Sequence, residues 1–306
     1  MTEIQSLIQK LGQEDWLLYV DDLSKKLKPK IQKNGAIKPI RDVVNEKYQN
    51  KINDLYSLFI MDSSIKNLDD QIKSLTDKIF IINNLVNNSI YYEFFNHLKN
   101  IKKVNSEYDD LIYISNLIED SKTDVTLKLK LNNVISHIIN QSISQSNKSV
   151  AGGTGELITE AILKKIGFKE GIHYKKQFKS MEGSDTDFVF PHVEDFDDIN
   201  VQIFMAVQYS TNDRARLTSS ELKTGGEKVA LTYNDFPSST KNLKHIGFQI
   251  IEGYKKEKIR LVAYSEGIKK EISRCEKQSK SDRIEFFQNY AISFEEYFER
   301  LKNRFN

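Results

Sequence analysis

The chain has 306 residues, 39% hydrophobic and 29% charged, enough apolar material for one large domain or two ordinary ones. The lone cysteine, Cys275, excludes an internal disulfide and a thiolate metal centre, and fits a reducing cytoplasm. The formal net charge of +2 carries no global basic signal, so any DNA contact has to rest on locally clustered cations.

The opening segment MTEIQSLIQKLGQEDW has neither a basic n-region nor an apolar h-region, and no signal peptide is expected. No run approaches the roughly 18 apolar residues of a membrane span. The nearest, Ile79–Ile90, is broken by Asn83, Asn84, Asn87 and Asn88. The abundance of Asn, Lys and Ile points to an AT-rich bacterial genome.

Residues 1–145 hold few helix breakers: Gly12, Gly35, Pro29 and Pro39 cluster early. Apolar residues then recur at helical spacing, as in Val44, Tyr48, Ile52, Tyr56 and Phe59, or in Val125, Leu127, Leu131, Val134 and Ile138. This predicts a helical domain of five or six helices, with Asp109 and Asp110 near one helix start and Ser121–Asp124 capping another. No catalytic constellation appears in it. His97 and His137 stand alone on apolar-patterned helices and are expected to be packed or surface residues. The polar, then glycine-rich stretch Gln141–Glu156 predicts a linker, placing a second domain at 146–306.

In that second half, short β-rich runs alternate with helices. Strands are expected at Tyr174–Lys179, Thr186–Phe190, Val201–Ser210, Lys228–Tyr233, Gly247–Ile251 and Arg260–Ala263. Helices are expected at Glu156–Ile166, Ser239–Lys244 and most of Ile268–Arg304. The alternation argues for an α/β sandwich around one sheet. The aromatic seam Phe286, Phe287, Tyr290, Phe294, Tyr297 and Phe298 is expected on an outer helix or dimer contact.

Three segments could carry chemistry. Glu156 and Glu160 are four apart and share a helix face, with Leu157, Ala161, Leu163 and Ile166 on the buried side and Gly167 as the stop. The glycines before Glu156 lack the Lys-Ser/Thr pair of a phosphate loop, so no nucleotide cofactor is expected. Asp185 and Asp187 lead into a short apolar strand. They are either turn residues or, for Asp187, a carboxylate at a sheet edge, suited to a hard cation such as Mg²⁺. In Val201–Ser210, a mostly apolar strand expected to be buried on both faces, Gln208 has to be paired or functional. Cations and small polar groups follow: Asn212, Arg214, Arg216, Ser219, Ser220 and Lys223, then Ser238, Ser239, Lys241 and Lys244 at another helix start. They are either a solvated loop and an ordinary cap, or phosphate and base contacts.

The order helix-Glu, turn-Asp and strand-Gln, over roughly Gly152–Gly247, resembles the PD-(D/E)XK nucleases, and most closely type II restriction enzymes. The resemblance implies a mixed sheet flanked by helices, Mg²⁺ (with Mn²⁺ as substitute), double-stranded DNA as substrate, a homodimer, no membrane and a cytoplasmic location. Asp187 matches the family Asp. Gln208 falls where Lys is usual, and some restriction enzymes carry Gln there. Ala206 departs from the pattern, since an Asp or Glu is expected. A relocated carboxylate is the favoured explanation, with Glu156 leading and Glu160 or Glu221 as alternatives. Glu221 lies thirteen residues past Gln208, a spacing that resembles one relocated pattern. An inactivated variant, or a non-catalytic DNA-binding module, would also explain Ala206. A structural or interaction protein dominated by its helical half is the remaining alternative.

Overall fold

The computed structural model describes residues 2–13, 16–32, 35–101, 108–179, 185–193, 201–208, 226–233 and 246–305. Among these are ten helices and six strands. The chain divides into two compact units, residues 1–54 with 78–149, and 55–77 with 150–306.

The first unit is helical, as expected. It contains α1 (Glu3–Leu11), α2 (Leu17–Ile31), α5 (Asp109–Glu119), and parts of α3 (Ile37–Met61), α4 (Leu68–Ile101) and α6 (Val125–Lys165). Local chemistry marks the helix starts. Thr2 and Gln5 form a reciprocal capping box on α1. Asp109 and Asp110 open α5, and Asp124 Oδ1 accepts the Leu127 N–H to cap α6. Leu23, Leu27 and Ile31, each four residues apart, are fully buried in one core with Leu11, Leu111 and Leu131.

The second unit is built on one six-stranded mixed sheet in sequential order. Strand β2 (Asp185–Phe190) runs antiparallel to both its neighbours, β1 (Lys175–Lys179) and β3 (Ile203–Gln208). From β3 onward, β4 (Glu227–Thr232), β5 (Ile259–Ala263) and β6 (Ala291–Ser293) are parallel. Helix α7 (Phe248–Lys256) links β4 to β5, α8 (Ser265–Lys277) and α9 (Ser281–Asn289) link β5 to β6, and α10 (Phe294–Phe305) follows. All six residues of β3 are buried, as its apolar run requires. Ala206, Ala230 and Leu261 share a core with Ile251, Tyr254 and Phe286. The alternate residue Val207 and the adjacent Tyr233 meet helix α6 at Gly155, where a Cβ would lie 3.1 Å from Val207 Cγ1.

Residues 55–77 belong to this unit through polar contacts that close helix ends. Buried Lys165 donates to the carbonyls of Phe59 (3.0 Å) and Asp62, where α3 stops. Asp69 accepts N–H groups of Ser265 (2.6 Å) and Glu295 (3.1 Å), at the starts of α8 and α10. Glu295 in turn accepts the Leu68 N–H that opens α4 (3.1 Å).

Several expectations need correction. The expected linker Gln141–Glu156 is helical, inside the 41-residue helix α6. Interior glycines cost about 1 kcal/mol each relative to Ala, but breaking the helix would expose a further set of unpaired N–H and C=O groups at two new ends. Gly247–Ile251, expected as a strand, begins helix α7. Its buried residues Ile251 and Tyr254 are three apart, and a short apolar run alone does not separate the two periods. Leu157, expected in the core, is 52% exposed, while Ile158 and Ile162 take the buried positions beside Ala161 and Leu163. The aromatic seam lies inside the unit: Phe286, Phe287, Phe294, Tyr297 and Phe298 are all buried. Strand β6, three residues within that seam, was too short to show a period. Gly167 does stop α6, at φ +93°, with the Phe168 N–H reaching back to Leu163 O.

Gly153 is exposed in α6 with nothing near its missing side chain. Gly153→Ala is therefore expected to raise the stability of the protein by about 0.5–1 kcal/mol, measured by denaturant unfolding.

Candidate active site

Two of the candidate residues, Asp187 and Gln208, lie where β2 begins and β3 ends. Phe188 pairs with Met205, so Asp187 stands across from Ala206 and, by alternation, on the same sheet face. Asp187 is half-buried, and its Oδ2 accepts the backbone N–H of Val207 at 2.6 Å. This charge-assisted bond holds the carboxylate beside the last residues of β3. Gln208, two residues on from Ala206 and 4% exposed, shares that face and pairs in register with buried Thr232. Asp187 and Gln208 are thus brought together. The Ala206 side chain sits in an apolar core with Val189, Phe204 and Ala230. A carboxylate there would enter a packed, low-dielectric region.

Glu156 and Glu160 project from α6, which packs on the Val207 and Tyr233 face, opposite to Ala206. Glu156 accepts from Gln177 Nε2 at 2.6 Å. Gln177 has φ +49°, which takes it out of the regular alternation of β1. Glu160, 13% exposed in its side chain, lies between Lys164 and Lys176, each at 2.6 Å. Burial by itself would raise the Glu160 pKa, but hydrogen bonds and attraction from the two lysines outweigh it and hold the group below its ordinary value. Lys176 is pushed up in return: burial works against its charge, and Glu160 and Glu170 more than compensate. A carboxyl group with a depressed folded pKa stabilises the protein above its unfolded pKa and loses that contribution as pH falls through the folded value. Between pH 6 and pH 3 the melting temperature of the wild type should therefore fall faster than that of Glu160→Gln. Parallel slopes would show that the pair contributes nothing.

Beneath Glu156, Thr159 Oγ1 bonds to Gly155 O (2.9 Å) and to the hydroxyl of Tyr233 (2.8 Å), whose ring stacks on Phe294. Complete burial drives the Tyr233 pKa well above its ordinary value, so it stays a neutral tether between α6 and the end of β4. The sequence reading had no role for Gln177, Lys176 or Tyr233. Only the positive φ at Gln177 and the packing of α6 reveal them, and neither leaves a pattern in the chain.

The side chain of Asp185 is not described. Asn212, Arg214, Arg216, Ser219, Ser220, Glu221, Lys223, Ser238, Ser239, Lys241 and Lys244 lie outside the described residues. Their segments follow directly in the chain on β3 and β4, the strands that end in Gln208 and Thr232. Among the described residues no three His, Cys, Asp or Glu side chains gather as a metal site, and no helix is long and apolar enough to cross a membrane.

No protein-family model and no curated protein matches the chain. Solved structures do. Metal-depleted Ecl18kI, a type II restriction endonuclease, in complex with uncleaved, modified DNA superposes with a TM-score of 0.52. The match covers 87% of this chain and 85% of that one, at 16% identity. Metal-depleted Ecl18kI in complex with uncleaved DNA gives the same TM-score and identity over 88% and 86% of the two chains. The fold is restriction-endonuclease-like. Because the likeness covers 87% of the chain, it extends well beyond the sheet into the helical first unit.

Proposed function

We propose that the protein is a Mg²⁺-dependent endonuclease of double-stranded DNA, a type II restriction enzyme acting in the bacterial cytoplasm. The observation that carries this reading is the Asp187 carboxylate, clamped by the Val207 N–H beside Gln208 on a restriction-endonuclease-like fold. The DNA in the Ecl18kI complexes supports the choice of substrate.

The donor set suits a hard cation. Asp187 offers a positioned carboxylate, Gln208 a neutral amide, and Mg²⁺ is held through one or two carboxylates while keeping several waters. When bound, the metal polarises the scissile phosphate and lowers the pKa of an attacking water. Gln208 orients that water or the phosphate, and as an amide it does not serve as the base. A second carboxylate replaces the one absent at Ala206. Glu156, Glu160 and Glu221 remain the candidates, and the geometry changes their order. Glu160 is neutralised by two lysines, and both α6 carboxylates sit on the helix facing Val207, across the sheet from Ala206. Glu221, in the segment that continues from Gln208, becomes the leading candidate, with Glu156 next.

Arg214 or Arg216 stabilises the charge that develops on phosphorus oxygens. Asn212, Ser219, Ser220, Lys223, Ser238, Ser239 and Lys241 contact phosphates and base edges. A two-fold homodimer matches a palindromic site and cuts both strands. The second reading, a DNA-binding module without cleavage, is favoured by Ala206 alone.

Digestion of long unmodified DNA by the purified protein with Mg²⁺ tests the proposal. Discrete fragments are expected. Salt-dependent binding without any cutting supports the second reading, and a protein that neither binds nor nicks DNA with Mg²⁺ or Mn²⁺ refutes both.

A further inference from the structure

Helix α4 is apolar on two sides. Val86, Ile90 and Phe94 pack into the core of the first unit. The opposite side of the helix presents Ile81, Leu85 and Tyr92, with Phe80 beside them, and these four side chains are between 46% and 76% exposed. Asn84 and Asn88 share that face and are exposed too. This is the asparagine-broken apolar run that stands out in the sequence. Between Lys78 and Glu93 the helix carries no charged residue, in a chain that is 29% charged. Ile81, Leu85, Asn88 and Tyr92 follow one another at intervals of four, three and four, the repeat of a helix seam.

A helix face turned to water normally carries charges, and a helix that is apolar all round is covered all round. At roughly 200 Å² for a large side chain, Phe80, Ile81, Leu85 and Tyr92 expose about 470 Å². A contiguous apolar patch of that size on a monomer marks an interaction site more often than not. Three properties point to what covers it. The face has no charge, so it selects against DNA, whose phosphates need cations. Asn84 and Asn88 each carry a donor and an acceptor, so an identical amide satisfies them. Two copies of the face would bury about 940 Å² of large side chains, and the asparagines bring the total to roughly the 1,000 Å² that a specific interface requires.

We propose that α4 is the contact of a homodimer, in which the Ile81–Tyr92 face of one chain packs about a two-fold axis on the same face of a second copy. The proposal rests on the nuclease reading for the homodimer and supplies its surface. Leu85 lies near the middle of the stripe, so the axis brings the two copies of this side chain close together whether the helices run parallel or antiparallel.

Sedimentation equilibrium of the full chain, without DNA or metal, tests the surface. An interface at the lower size limit is expected to give a wild-type dimer that dissociates in the micromolar range. Leu85→Glu and Leu85→Lys should each dissociate about 100-fold more readily, because each sets like charges side by side at the axis. An equimolar mixture of the two should dimerise again, since the charges are then opposite. Leu85→Ser, which adds no charge, should weaken the dimer about tenfold and keeps the test open if a charged variant folds poorly. A wild type that stays monomeric at every concentration leaves the face to a different protein and overturns the proposal. So does a dimer that all three substitutions leave intact, or a mixture of the two folded charge variants that stays monomeric. Because no DNA is present, the two readings fail separately. A dimer held by α4 in a protein that cuts nothing sinks the nuclease reading, whereas discrete digestion by a protein whose dimer ignores Leu85 sinks only the α4 contact.

Discussion

Replacement of Asp187 by Asn is expected to lower Mg²⁺-dependent DNA cleavage by about 10³-fold or more while leaving the fold and DNA binding in place. The amide is the same size as the carboxylate, and its oxygen still accepts from the Val207 N–H at the end of β3. What it lacks is the negative charge that a hard cation requires. Asp187→Ala should lose activity equally and stability as well, because it strips the partner from a backbone N–H in a buried strand, a loss of about 1–3 kcal/mol. The two variants separate the chemical role from the structural one. If Asp187→Asn cuts DNA at the wild-type rate, Asp187 is only the clamp of a strand end. If it melts together with Asp187→Ala, the charge rather than the acceptor holds β3. Nicking of DNA, followed on gels over several decades of enzyme concentration, and melting temperature together give the answer.

Gly155→Leu is expected to destabilise the protein by about 3 kcal/mol and to impair the same site without touching it. Even a Cβ at position 155 would come to 3.1 Å from Val207 Cγ1 and 3.6 Å from the Tyr233 ring. The further carbons of Leu have no room, so α6 or β3 must move. Val207 is the residue whose N–H holds Asp187, and Gly155 O is the acceptor for Thr159 beneath Tyr233. Overpacking here therefore displaces the clamp as well as the helix. Gly153, two residues earlier with open space around it, is the control: its replacement by Leu should leave activity unchanged. Equal behaviour of the two leucine variants in unfolding and cleavage assays would show that the close approach of α6 to β3 is not what positions Asp187.

Much of the secondary structure was legible because it depends on local periodicity. The four strands from β1 to β4 and β5 each lie within two residues of the expected runs, since alternation and apolar content are properties of neighbours in sequence. The start of α6 at Asp124 and its stop at Gly167 were legible for the same reason: a side-chain cap and a left-handed residue act on adjacent backbone. The continuity of α6 through Gly152 and Gly153 was not, because a glycine pair reads as a break until the cost of ending a long helix is counted. Nor was the choice between strand and helix for Ile250 and Ile251. It rests on which neighbours bury Ile251 and Tyr254, and that burial is a long-range matter.

The candidate site divides along the same line. The sequence by itself placed Asp187 at the start of a short strand and Gln208 within a buried one, by residue type and a period of two. The expectation of a carboxylate at Ala206 came from the resemblance to the PD-(D/E)XK nucleases. Only the tertiary structure decided that Asp187 is clamped by Val207 across a strand pair, that Glu160 is already neutralised by Lys164 and Lys176, and that α6 packs against Val207 rather than Ala206. It also brought Arg260 of β5 to one cavity with Tyr297, Arg300 and Arg304 of α10. The physical reason is the range of the forces. Backbone conformation answers to the nearest few residues, whereas the charge state and partners of a carboxylate depend on groups that only folding brings within a few ångströms.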